Sequence, residues 1–547
     1  MLAHQFSARG YLSILAALLL TIFLLTAHRL NRLPPALSPY LDDALFASAE
    51  PAASKQPIRP QHGTTEVTVA HPADASSSQP DPARPSPQGT ADLCSKDWEL
   101  LRRKDLGLTN NIVYTRRCIR PAFGDVDRNA VANISSPLVG ATTTISLRSS
   151  DCAALVRLPC EPLPLRVPRP YPDRRGRYGH LMFGVASTYE RIWASLPEFA
   201  HWLSGTSAHL VLVVQDVNEV PGGADLAALT AAFRSRGISA TVKPPSIQTA
   251  IRRADEADGA RLASPAPVEQ IHFLLINDML EMATRETQWL GVLDDDTFFP
   301  ALHPLSQMLA AYDHRLPHWL GALSDRWTAV KSWGYMAFGG AGTFLSKPLA
   351  LELSPHLESC LRETNIRTGD GMLKECMALH SSTRLTLVDG LHQHDLRGDV
   401  SGFFESGRKV LSMHHWKSWY RAPVLAMAAV TSLCGDCFLQ RWRFGRDTLL
   451  VNGYSISVYR DGLDGIDLSL MEGTFDGAGP AEHGFMYGAF RPRLGDREKK
   501  SYRLAVTDGP RGKGDGFFRQ VYVHRAARGE NGAEGAMDEV VELIWEV

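Results

Sequence analysis

From His180 onward, short apolar runs alternate with longer segments whose apolar residues recur at helical spacing. His180–Ala186 (HLMFGVA), His209–Val217 (HLVLVVQDV) and Trp289–Leu293 (WLGVL) carry few polar side chains. Such runs suit strands buried on both faces. After the first run, Ile192, Leu196, Phe199 and Leu203 share one helical face, and Pro197 is expected to kink or split that helix. Ser187 and Glu190 have the spacing of a capping box at its start. Asp225–Phe233 and Ile271–Thr287 read as further helices. This alternation predicts an α/β layer on a parallel sheet, with ligands beyond the carboxyl ends of its strands. No GxGxxG or Walker A run opens a helix, so dinucleotide and P-loop readings fall away.

The flanking segments follow other patterns. Tyr11–Ala27 is free of charge and close to the lower limit of ~17–25 residues for a bilayer span. It reads as a signal anchor over residues 11–28, behind a cytosolic tail of residues 1–10. A cleaved signal peptide is the rival reading, but Leu25-Thr26-Ala27-His28-Arg29 is a poor cleavage site. Arg29 and Arg32 on the far side run against an N-in orientation. Residues 29–92, rich in Pro, Ala, Ser and Gln, read as a disordered stalk. Residues 93–177 read as an accessory β-rich region, closed by the prolines of PLPLRVPRPYP (Pro162–Pro172). Leu449–Val451, Ser455–Tyr459 and Phe518–Val523 alternate between glycine turns, so residues 431–547 are expected to form a β-rich C-terminal module.

Composition narrows the class. With 547 residues, 44% of them hydrophobic and 21% charged, the chain has ample material for a core. A net charge of −2 gives no electrostatic case for nucleic acid as a partner. Eight cysteines, all beyond the stalk, and the sequon Asn133-Ile134-Ser135 fit an oxidising, glycosylating compartment. Anchor, stalk and globule together suggest a single-pass type II protein of the Golgi or ER membrane, its globular part lumenal.

The candidate chemistry begins where the strand Trp289–Leu293 ends, at Asp294-Asp295-Asp296. Three consecutive carboxylates repel one another unless water or a cation screens them. A solvated acidic loop is the bland reading, but this triplet stands between an apolar strand and Phe298-Phe299. Oxygen ligands at a strand end suit Mn²⁺ or Mg²⁺ bridging to a diphosphate. An aspartyl-phosphate phosphatase needs D-x-D-x-T, and Phe298 stands where the threonine belongs. A nucleotide-sugar transferase needs only the D-x-D pair.

GVLDDDTFFP (Gly291–Pro300), FGGAGTFLS (Phe338–Ser346), GDGMLKEC (Gly369–Cys376), LHQHDLRGDVSGFFESGRKVLSMHHW (Leu391–Trp416) and CGDCFLQRWRFG (Cys434–Gly445) occur in that order. Together they resemble the fungal, Fringe-related branch of the β-1,3-glycosyltransferases, glycosyltransferase family 31, over roughly Cys94–Asp461. The resemblance implies a GT-A, Rossmann-like catalytic domain over residues 178–430, a UDP-sugar donor, a glycan or glycoprotein acceptor, and inversion at the anomeric carbon. It also implies Mn²⁺ or another divalent cation as cofactor. The expected fold class is therefore α/β: a GT-A domain with an N-terminal accessory β region and a β-rich C-terminal module, behind one membrane anchor.

The resemblance further assigns roles. Asp296 becomes the first metal ligand, with Asp294 and Asp295 holding ribose, sugar or metal-bound water and Asp294 a further ligand candidate. In S-M-H-H-W, His415 is the favoured imidazole ligand and His414 the alternative. Asp370 is the expected general base, although it is followed by Gly371 where many relatives carry a second acid; a helix N-cap is its competing role. Gly339, Gly340, Ala341 and Gly342 are expected to approach the sugar, or else to form a tight turn. Ser187 is a further substrate-side candidate, and Trp327 is expected to border the acceptor, unless it is a core tryptophan. Asp395, Arg397 and Asp399 are candidates for donor contacts or, the favoured role, an internal ion-pair network. Cys434-x-x-Cys437 lacks a partner motif for zinc and is expected to be a disulfide. Cys360 and Cys376, on two expected helices either side of Asp370, are expected to form another. A glycan-binding or scaffolding protein without turnover is the reading from a different class.

Overall fold

The computed structural model describes residues 98–148, 160–248, 266–509, 517–527 and 536–546. The expected anchor and stalk lie outside the described residues, as do Cys94 and Cys152. Among the described residues no helix is long and apolar enough to cross a membrane.

Seven strands form the sheet that carries the site, in the order Leu385–Leu387, Trp319–Gly321, Thr343–Ser346, Trp289–Leu293, Leu181–Ser187, His209–Val214, Ser239–Lys243. The last four named are mutually parallel. Thr343–Ser346 runs antiparallel to both its neighbours. The near-continuous apolar runs follow from burial on two faces. In Leu181–Ser187, Phe183 and Val185 enter one core and Met182 and Ala186 the other. The first core reaches the helices Leu196–Leu203 and Leu226–Ser235, and the second packs under Val268–Met282.

Local chemistry set the element ends. The apolar face expected to be kinked at Pro197 is divided into Tyr189–Ala194 and Leu196–Leu203. The cap of the first is Thr188, not Ser187: the Thr188 side chain accepts from the Arg191 N–H, while Ser187 completes the strand. Asp225 caps the helix Leu226–Ser235 through the Ala228 N–H.

The accessory and C-terminal regions share one sheet. Asn111–Phe123 lies parallel to Asp538–Glu546, and the edge strand Val131–Ile134 lies parallel to Arg441–Phe444. With Thr448–Val451, Ser455–Tyr459, Lys499–Asp508, Phe517–His524, Thr143–Ser146 and Leu163–Val167 they make ten strands. Chain ends far apart in sequence thus complete a single layer, and its Trp442, Leu543 and Trp545 belong to the same core as Phe183 and Phe299.

Candidate active site

The acidic triplet leaves the carboxyl end of Trp289–Leu293, and Thr297 closes the turn: its hydroxyl accepts from the Asp294 N–H and donates to the Gly340 carbonyl at 3.0 Å. A two-residue bridge between Phe298 and Met413 then pins this turn to the chain carrying the histidines. The Trp416 indole donates to the Asp296 carbonyl at 2.6 Å. Asp296 and His414 are neighbours because of these contacts.

Nε2 of His414 lies 3.0 Å from an Asp296 oxygen and 3.2 Å from an Asp294 oxygen. Nδ1 of His414 faces the Gln393 carbonyl at 3.2 Å, an arrangement in which Nδ1–H donates and Nε2 is left to the acids. Burial pushes His414 down, but Asp296 and Asp294 outweigh it and hold the imidazole well above its usual pKa. Burial likewise raises Asp294, yet His272 and His414 bring it well below the ordinary carboxylate range. His272, on Val268–Met282, reaches Asp294 at 3.3 Å. No motif pointed to His272; its only sequence signal is a polar residue within an apolar helix.

His415 sits beside His414, its backbone in the left-handed region at φ 58°, and its ring stacks on Trp419 at 3.9 Å. Its Nε2 is 3.2 Å from Asp395. Asp296, His414 and His415 each bring a ligand atom within 4.8 Å of the others. The favoured His415 and the alternative His414 thus both lie in the cluster, and His414 is the one in direct contact with the triplet. The donor set fits a divalent cation, since carboxylates that would otherwise repel are gathered around an imidazole.

Asp295 points elsewhere. Both its oxygens are bound by Arg191, at 2.6 and 2.5 Å, and Ser187 donates to it at 2.9 Å. Asp295 and Ser187, both expected on the substrate side, here tie the triplet to the first strand and helix, since a 6%-exposed carboxylate needs charge-assisted donors.

Asp370 is not a helix cap. Thr368 caps Gly369–His380 through the Gly371 N–H, and Asp370 in the first turn accepts from the Gly339 N–H at 2.8 Å. Burial, with Asp294 adding to it and His272 opposing, pushes its carboxyl up to about 6. The Gly339–Gly342 turn, expected to approach the sugar or to form a tight turn, is buried and engaged with protein groups. Ala341 donates to Gln393 at 3.0 Å and its carbonyl accepts from Ser412 at 2.6 Å. The small residues are still required, since a Cβ on Gly339 would lie 2.6 Å from Asp370 and one on Gly340 2.1 Å from His414. Gly342 takes φ 93°.

Trp327 opens the helix Trp327–Trp333 and is 47% exposed, edge-on to Phe485 at 5.7 Å, so it is not a core residue. Lys374, one turn beyond Asp370, binds the Trp333 carbonyl at 2.9 Å and brings this helix against the one carrying Asp370. Among the described residues the six cysteines pair as Cys118–Cys160, Cys360–Cys376 and Cys434–Cys437. The two expected disulfides are present.

Residues 329–433 match the family described as "Protein of unknown function, DUF604". That stretch holds the glycine turn, Asp370 and both histidines, and begins beyond the triplet. No curated protein matches the chain. Among solved structures, mouse xyloside xylosyltransferase 1 is 13% identical, over 37% of this chain and 75% of its own, at a TM-score of 0.22. The glycosyltransferase GlyE of Streptococcus pneumoniae is 11% identical, over 37% and 44%, at 0.23. The 4-diphosphocytidyl-2C-methyl-D-erythritol synthase of Anaerococcus prevotii is 8% identical, over 39% and 89%, also at 0.23. Likeness at these TM-scores carries no functional weight, so the case for function lies in the side chains.

Proposed function

We propose that the chain is a metal-dependent, inverting glycosyltransferase of GT-A type. It would move a hexose or N-acetylhexosamine from a UDP-sugar onto a glycan or glycoprotein, in β-1,3 linkage, at the lumenal face of the Golgi or ER membrane. The observation that carries this reading is the Asp294–Asp296–His414 cluster at the carboxyl end of a central parallel strand, with a second, separately held carboxylate beside it. Mn²⁺ or a similar cation on Asp296, His414 and His415, with Asp294 adjoining, would supply positive charge to the departing diphosphate.

Asp370 takes the proton. At neutral pH a carboxyl pushed up to about 6 is ionised yet basic enough to accept from an acceptor hydroxyl. The hydroxyl oxygen then bonds to the anomeric carbon as the bond to the UDP oxygen breaks on the opposite face, inverting the centre. The Gly339 N–H keeps the Asp370 carboxylate from drifting, and His272 sits against Asp294 next to it. Exposed Trp327 offers an aromatic face at the acceptor edge. A screen of UDP-sugars with Mn²⁺ and mixed glycan acceptors, read by product mass, tests the proposal. A glycan lengthened by one sugar is expected; glycan binding with no product from any donor would favour the scaffolding alternative.

A further inference from the structure

The cation site is supported from the C-terminal part of the chain through a line of buried polar contacts. Nε2 of His415 faces Asp395 at 3.2 Å, and the Ser324 hydroxyl donates to the other Asp395 oxygen. The Asp395 N–H donates to Asp325 at 3.1 Å. The other oxygen of Asp325 accepts from the Tyr487 hydroxyl at 2.5 Å. Tyr487 ends the helix Pro480–Tyr487, far beyond the last residue of the site in sequence. It is itself fixed, its carbonyl accepting from Arg408 at 2.6 Å with the Arg408 guanidinium 4.9 Å over its ring. Ser324 and Asp325 are 0% exposed, Tyr487 4% and Asp395 9%. Buried polar groups with every link donor-to-acceptor hold one geometry, because breaking any link strands a partner away from water. His415 needs such a hold, since a non-glycine residue at φ 58° keeps that backbone only where its surroundings over-determine it.

We propose that Tyr487 is a positioning residue for the cation site, acting through Asp325 and Asp395 to fix the ring of His415. The inference rests on the reading of Asp296, His414 and His415 as a cation site. It assigns the C-terminal helix a task in metal capture. Asp395 engages Nε2 of His415, while Tyr487 and Ser324 hold the two acids in register. Outer partners of ligand histidines commonly tune metal affinity by about 10–100-fold.

The test is calorimetric titration of Mn²⁺ into the full chain with UDP present, for wild type, Tyr487→Phe, Asp395→Asn and the double variant. Tyr487→Phe keeps the ring under Arg408 and removes only the hydroxyl. Each single variant is expected to bind Mn²⁺ about ten-fold more weakly. The double variant should be no weaker than the worse single one, because both cut the same line. Equal Mn²⁺ affinity in Tyr487→Phe and wild type overturns the inference alone, and so does full additivity in the double variant. A wild type that takes up no Mn²⁺ overturns both the inference and the reading beneath it. Should Tyr487→Phe fail to fold, Asp325→Asn replaces it with the same expectations.

Discussion

At the scale of single residues, the site is defined by what each carboxylate has been given. Asp295 has a guanidinium, Asp294 and Asp296 share an imidazole, and Asp370 has one backbone N–H. In the proposed reaction Asp370 is the carboxyl that accepts the proton. Asp370→Asn should lower transfer by about 10²–10⁴-fold with UDP affinity kept. In the wild type the rate should fall as pH drops through about 6, where the base protonates. Stability should move the other way. With a pKa raised above its unfolded value, Asp370 holds a proton in the folded state that the unfolded chain gives up. Its cost grows as pH rises through that window and is complete above about 6. Without metal near pH 7.5, Asp370→Asn should then be more stable by on the order of 3 kcal/mol, read by denaturant unfolding. Loss of stability would instead mark a structural carboxylate. Gly340→Ala tests the other side of the site. Its Cβ would fall 2.1 Å from Nδ1 of His414, so the fold should lose about 1–3 kcal/mol. Mn²⁺ affinity should fall with it, and an unchanged titration would show that His414 is not a ligand.

At the scale of elements, strands buried on both faces were legible because burial leaves long apolar runs: Trp289–Leu293 coincides with its run, and Leu181–Ser187 is offset by one residue. Ser239–Lys243 was not, since its pattern is that of a half-exposed edge. The stretch Leu349–Leu361, which reads as one helix despite Pro355, is Lys347–Leu353 and Leu357–Glu363 joined by a short 3-10 turn at that proline. The triplet and Asp370 could be found because motifs mark them. His272, Arg191 and Gln393 could not, because single polar residues on helices and loops gain meaning only when distant segments meet. The Cys360–Cys376 link joins Leu357–Glu363 to Gly369–His380, the helix whose first turn carries Asp370. Its removal should cost ~3 kcal/mol. Peptide mapping without reduction should recover the two cysteines linked, and free alkylation of either in folded protein would contradict it.

At the scale of the molecule, the two flanks make one sheet, so the part carrying the candidate site is not expected to stand alone. A chain ending at residue 430 would lose Asp538–Glu546, the parallel partner of Asn111–Phe123, and would uncover core facing Trp442 and Trp545. It should show no cooperative unfolding transition, whereas a sharp one would mean the flanks are accessory. The most direct measurement is UDP release from a UDP-sugar by the full chain, with Mn²⁺ and with excess chelator, in wild type, Asp296→Ala and Asp370→Asn. Cation-dependent release that is abolished by chelator, restored by Mn²⁺ and lost in both variants is the predicted result; undiminished release in excess chelator would contradict it.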